Sequence, residues 1–199
     1  QIADAFSGDM GLTTSTFPEK NCPTPQKKCF EAPNGGIPEV PDKSLNNLMI
    51  YTSSLSVPIR RNYEDENVLK GKQLFRDLKC NSCHIEVFTT SNNYDFNTLL
   101  ENVTIRPFSD FLLHDMGTDL ADNRPDFLAT GNEWRTQPLW GIGMIKEVNS
   151  HTFLLHDGRA RNIEEAILWH GGEAEASKQV VLGFNQDQRD ALVRFLESL

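Results

Sequence analysis

The sequence has no apolar run long enough to cross a bilayer and no excess of positive charge. Its mean hydropathy is −0.45, and no membrane span is expected. Lys and Arg number 19 against 28 Asp and Glu, a formal net charge of −9 with a pI near 5.0. That balance leaves no basic stripe to follow a phosphate backbone, so nucleic acid is not an expected partner. Internal repeats and low-complexity tracts are missing too. Histidine (five), methionine (four) and cysteine (four) are scarce, which makes the set of metal-ligand candidates short. The chain opens at Gln1 without a charged and then apolar leader, and reads as a mature product or a fragment. Its 199 residues suit one domain with an extension.

What is present begins with the cysteines. Cys80 and Cys83 stand in "KCNSCH", two residues apart with His84 directly after. This is the attachment signature for a c-type haem: two thiols add to the porphyrin vinyl groups, and the short turn offers the next imidazole to the iron. A zinc reading would want a second ligand pair close by in sequence, and none is there. A redox dithiol would want a strand before it, whereas a helical pattern precedes this pair. Cys22 and Cys29 lie in the polar loop "NCPTPQKKC". A structural disulfide in an oxidising compartment is expected there, with free thiols or a metal clip as alternatives. Both pairs point to the periplasm or another extracytoplasmic space.

Residues 1–60 are rich in Pro, Asn, Ser and Gly and read as an irregular N-terminal arm, with short helices near 3–10 and 44–51. Residues 61–199 read as the compact domain. In "DENVLKGKQLFRDLKC" the positions Val68, Gly71, Leu74, Phe75 and Leu78 share one helical face. Gly71 inside a helix suggests a close backbone crossing. The partner is "NQDQRDALVRFLESL", with Asn185 and Gln188 as a capping box and Ala191, Leu192, Phe195, Leu196 and Leu199 as its apolar stripe. Two helices crossing at a glycine beside a haem turn predict a mostly α, cytochrome c-like haem domain. Between 86 and 150 short strand-like runs alternate with turns, a long loop-rich insertion.

The other face of the iron decides between electron transfer and chemistry on small ligands. Candidates are His114, His151, His156 and His170, with Met10, Met49, Met116 and Met144. "NIEEAILWHGG" predicts a helix with Asn162 as N-cap, Glu165 closing a capping box and Gly171 just past its end. Ile163, Ala166, Ile167 and His170 then fall on one buried stripe. His170 is either a ligand or a buried neutral imidazole satisfied by a hydrogen bond. His156, in "LLHDGRAR", suits a place behind the ligands, with Arg159 and Arg161 reaching haem propionates; the alternative is a turn with solvated arginines. His114 or Met116 is a further ligand candidate, and His151 reads as a loop residue. Trp134, Trp140 and Trp169 suit core or haem packing better than electron relay.

Together "GKQLFRDLKCNSCH", "FLLHDMGTDLAD", "EWRTQPLWGIG" and "FLLHDGRARNIEEAILWHGGEAE" resemble the C-terminal haem domain of the di-haem oxidoreductases. These are peroxidase relatives sometimes labelled thiol oxidoreductases and similar to the bacterial di-haem cytochrome c peroxidases. "FSGDMGLTTSTFPEKNC" fits the family's inter-domain region. The resemblance implies that the end of "HDGRARNIEEAILWH" carries the distal ligand. That ligand is a methionine in the peroxidases and a tyrosine in a related enzyme that matures a tryptophan-derived quinone; here it is His170. The family carries two C-x-x-C-H motifs and this chain has one, so peroxide turnover does not carry over with the resemblance.

One covalent haem c is therefore expected on Cys80 and Cys83, with His84 proximal and His170 distal, and His156, Arg159, Arg161 and Trp140 around it. The resemblance also brings a calcium ion at a domain interface into consideration. Expected partners are a redox protein donor or acceptor and a second haem domain of the parent protein. The expected role is electron transfer. The alternatives are a peroxidase with an open haem, using His114 or His156 as acid–base, and a haem-based ligand-binding module.

Overall fold

The computed structural model describes residues 1–94 and 97–199; residues 95 and 96, part of the expected insertion, lie outside the described residues. The described residues form eight α-helices and four short strands, and the chain is mostly α-helical. By their contacts they divide into two compact units, Gln1–Ser56 with Thr90–Val103 and Val57–Thr89 with Thr104–Leu199.

The first unit holds α1 (Ile2–Gly8), α2 (Lys27–Glu31) and α3 (Asp42–Ser53). The sequence anticipates α1 and α3 within about two residues of their ends. It misses α2, a five-residue helix inside the Cys22–Cys29 loop, because so short a helix shows no periodicity. Cys22 and Cys29 form a disulfide. The loop ahead of α3 is held by Glu39, which accepts hydrogen bonds from the backbone N–H groups of Thr13 and Gly35, both at 3.0 Å.

The second unit runs α4 (Glu66–Asp77), β1 (Phe88–Thr89), β2 (Thr104–Ile105), β3 (Leu113–Asp115), β4 (Glu133–Arg135), α5 (Ile145–Asn149), α6 (Ile163–Trp169), α7 (Glu175–Leu182) and α8 (Gln186–Glu197). The strands form two antiparallel pairs, β1 with β2 and β3 with β4, and the second sets His114 opposite Trp134. Among the described residues of the stretch expected to lack a sustained helix, the one α-helix is the five-residue α5.

The core lies between α4 and α8. Asp65 starts α4 by accepting from the N–H groups of Asn67 and Val68, and the Asn185–Gln188 capping box starts α8. Each cap satisfies N–H groups that have no partner within the helix. Phe75, Leu192 and Phe195 are at most 2% exposed, and burying each stabilises the fold by about 2 kcal/mol. Gly71 faces the carbonyl of Ala191, and a methyl group there would collide with it and with Cβ of Phe195. The crossing is therefore backbone against helix. The rings of Phe75, Phe108 and Phe195 close a triangle with centroids 5.2–6.1 Å apart.

Candidate functional site

The end of α4 delivers the chain into the cysteine turn. Lys79 takes a left-handed conformation (φ 63°) that breaks the helix, and Cys80–Ser82 follow as one 3-10 turn. The N–H of His84 closes the turn on the carbonyl of Cys80 at 2.9 Å. Cys80 and Cys83 are both free thiols. Burial pushes the Cys80 thiol up to about 11. Burial, joined by the carboxylates of Asp110 and Glu173, also raises that of Cys83. A redox dithiol works through a depressed thiol, so these two have the wrong electrostatics for that alternative.

His84 points into the unit. Its Nδ1 lies 2.9 Å from the carbonyl of Phe108. A carbonyl only accepts, so Nδ1 carries the proton and Nε2 the lone pair. Phe108 presents that carbonyl from a left-handed conformation (φ 54°), which costs a non-glycine residue about 1–2 kcal/mol. Ser109, fully buried, fixes the segment by donating its hydroxyl to the Thr136 carbonyl at 2.7 Å and its N–H to Ile85 at 3.1 Å. Burial lowers the His84 pKa to about 4 against the effect of this bond.

His170 ends α6. Asn162 caps the helix start by accepting from the N–H of Glu165 at 2.8 Å. The expected capping box does not close, because the Glu165 carboxylate accepts from the N–H and guanidinium of Arg161 instead. The last helical residue is Trp169, and His170 is itself the C-cap (φ −63°, ψ 124°). Ile163 and Ile167 pack against the core, as their spacing predicts. Nδ1 of His170 donates to the Ala166 carbonyl at 2.8 Å, and burial lowers its pKa. The two histidines thus share one tautomer, and neither Nε2 has a hydrogen-bond partner among the described residues. Their ring centroids stand 6.5 Å apart at 48°. Metal–imidazole bonds of about 2.0–2.1 Å put two ring centres on opposite sides of one ion roughly 6.3–6.5 Å apart. The separation of the pair matches that of two imidazoles on one metal ion.

The remaining candidates spread around this pair. His114 has both nitrogens engaged, Nε2 with Asp110 at 2.8 Å and Nδ1 with Glu173 at 2.9 Å. Cys83, Asp110 and His114 bring ligand atoms within 4.8 Å of one another, and both imidazole nitrogens already face carboxylates. His156 stacks on Trp134 with centroids 3.2 Å apart, and burial lowers its pKa. Arg159 pairs with Asp157 at 2.6 Å and lies 5.0 Å over the ring of Trp169. Arg161 pairs with Glu165 at 2.8 Å, its side chain 78% exposed. Trp140 lines a separate cavity of about 280 Å³ with Arg60, Arg106 and Phe108. Met116 is half-buried and His151 exposed, its ring against Phe153.

Sequence reasoning missed Phe108, Asp110 and Glu173. For Asp110 a signal existed, since it precedes His114 by four residues. Phe108 acts through its main chain, and nothing in "RPFSD" marks it.

A family model described as "Di-haem oxidoreductase, putative peroxidase" matches residues 1–199, the whole chain. No curated protein and no solved structure matches. Membership of a di-haem family implies haem binding, and the paired imidazoles beside a C-x-x-C-H turn suit it. The chain belongs to the di-haem oxidoreductase family.

Proposed function

We propose that this chain is an electron-transfer domain carrying one covalent haem c. Cys80 and Cys83 supply the thioether links, His84 the proximal ligand and His170 the distal one. The observation that carries this reading is the pair of half-buried imidazoles, each with Nδ1 tied to a main-chain carbonyl, whose rings lie 6.5 Å apart beside the two free thiols. Haem held there supplies an iron centre that gains and loses one electron. The protein's part is to fix the tautomers, keep both imidazoles neutral and exclude water from their face. An imidazole in place of a thioether lowers the potential within the roughly 0.8 V range open to axial ligands. Arg159, beside Trp169, keeps the propionate role in this reading; Arg161, turned outward to Glu165, serves the start of α6.

The cytochrome c-like arrangement is supported by the α4–α8 crossing at Gly71 and the Phe108 carbonyl behind His84. An extracytoplasmic site is supported by the Cys22–Cys29 disulfide. The net charge of −9 suits a redox partner with a basic patch, meeting this chain in a small transient interface. The family's second haem is assigned to another domain of the parent protein. The open-face peroxidase alternative has less support, since His114 is bonded through both nitrogens and His156 is stacked.

The test is the ferric electron paramagnetic resonance spectrum of the purified protein and of His170→Ala. A low-spin bis-imidazole signal that turns high-spin in the variant is expected. A wild-type protein that is already high-spin overturns the assignment of His170.

A further inference from the structure

Four segments meet at His114, the cysteine turn among them through Sγ of Cys83, 3.8 Å from Nδ1. The ring sits on β3, with Nε2 2.8 Å from Oδ2 of Asp110 and Nδ1 2.9 Å from Oε2 of Glu173. The second oxygen of Glu173 accepts the N–H of Asp115, also at 2.9 Å. Asp110 lies two residues beyond Phe108, the residue whose carbonyl holds His84. Glu173 lies three residues beyond His170. The imidazole therefore joins the segment that orients one axial histidine to the turn that follows the other.

The backbone reinforces the junction. Gly172 (φ +52°) lies against the carbonyl of Asp115 and the N–H of Gly117, where a methyl group would collide with both. A methyl on Gly171 would come within 2.9 Å of the Met116 carbonyl, and one on Gly117 within 2.9 Å of the Gly172 nitrogen. The turn after His170 thus abuts the end of β3 main chain to main chain. Within it Glu173 spans to both a side chain and an N–H of the strand. The side chains of Asp110 and His114 are 7% and 17% exposed, so their bond is screened less than a surface pair. A ring bonded to a carboxylate at each nitrogen makes two charge-assisted bonds, the stronger kind.

We propose that Asp110, His114 and Glu173 form a clamp holding the turn that carries His170 against the segment that orients His84, so that His114 and Glu173 are positioning residues for the sixth ligand of the iron. The inference rests on the bis-imidazole reading above. The clamp resists withdrawal of His170 and so keeps an electron carrier from becoming an open site for small ligands.

The experiment compares wild type, Glu173→Ala and Glu173→Gln as haem-loaded proteins. Its readouts are the ferric resonance spectrum and the rate of carbon monoxide binding to the ferrous form. Glu173 is 55% exposed, so its loss leaves the core intact. Wild type is expected to be low-spin and slow. Glu173→Ala loses its bonds to both His114 and Asp115; it should show a high-spin fraction and bind carbon monoxide about tenfold faster or more. Glu173→Gln keeps an oxygen acceptor and should return most of the way. A Glu173→Ala protein that matches a low-spin wild type in both readouts overturns the clamp. A wild type that is already high-spin overturns the distal-ligand reading beneath it, and the clamp with it; the wild-type spectrum tells the two failures apart.

Discussion

The carbonyl of Phe108 accepts the Nδ1 proton of His84 at 2.9 Å, and Phe108 does so from a left-handed backbone while its own ring is 2% exposed in the core. One residue therefore combines a strained backbone that orients His84, the proposed proximal ligand, with a side chain whose burial offsets the strain.

Phe108→Ala keeps the strain and removes the ring. It should lower the unfolding free energy by about 3–5 kcal/mol, as for other buried aromatic truncations. Denaturant unfolding of the haem-loaded protein checks this, and a loss under 1 kcal/mol would mean that the aromatic triangle contributes little.

Gly71→Ala places a methyl group against the Ala191 carbonyl at the helix crossing. Helix propensity alone would favour the change by about 1 kcal/mol. Overpacking should win and destabilise by about 1–3 kcal/mol or more. A variant with a raised melting temperature would disprove the close crossing.

His170→Met exchanges the proposed imidazole ligand for a thioether. The midpoint potential should rise by a substantial part of the roughly 0.8 V that axial ligands span. Potentiometric titration reads it directly, and an unmoved potential would count against His170 as a ligand.

The clamp carries a pH signature. Hydrogen bonding to Glu173 raises the His114 pKa above its ordinary 6.5, against burial and with help from Asp110. The His114 bond lowers Glu173 below its ordinary 4.5, and the Asp115 N–H adds to it. A raised histidine stabilises fully below 6.5 and loses that contribution as pH climbs through its folded value; a lowered carboxylate stabilises above 4.5 and loses it as pH falls. Wild type should therefore exceed Glu173→Ala in stability most between about pH 5 and 6, with the gap narrowing on the alkaline side. Denaturation series at several pH values would show it, and a gap that widens towards pH 9 would reverse the sign.

Reduction of Cys22–Cys29 reopens a loop closed across seven residues of sequence. Loop-closure entropy puts the cost at about 2–3 kcal/mol. Proteolysis within residues 1–56 should speed up under reductant, while cleavage in α4 and α8 should not.

What the sequence made legible is what repeats or caps. The α4 and α8 stripes, the glycine at their crossing and the Asn185 cap follow from periodicity and short-range chemistry, and so do the places of Ile163 and Ile167 against the core. The cysteine turn was legible because C-x-x-C-H is a short, fixed spacing of residue types. The Phe108 carbonyl was not, since a backbone conformation leaves no mark on residue type. Glu165 misled for a different reason: two acceptable donors compete for one carboxylate, and Arg161 offers both a main-chain N–H and a cation. Glu173 stayed hidden because its partners stand almost 60 residues away, at Asp115 and His114.

The protonated state of the two free thiols has a consequence for biosynthesis. Cys80 is packed at the foot of α4 with its thiol pushed up to about 11, and a thiol held that far from ionisation is a poor nucleophile. Under the proposed attachment, a chain that has already closed is a slow acceptor, whereas the same cysteines on an open chain are exposed and ordinary in acidity. Under that proposal the cofactor is expected to join before the chain folds. An empty chain folded first and offered the cofactor afterwards should then take it up covalently only slowly.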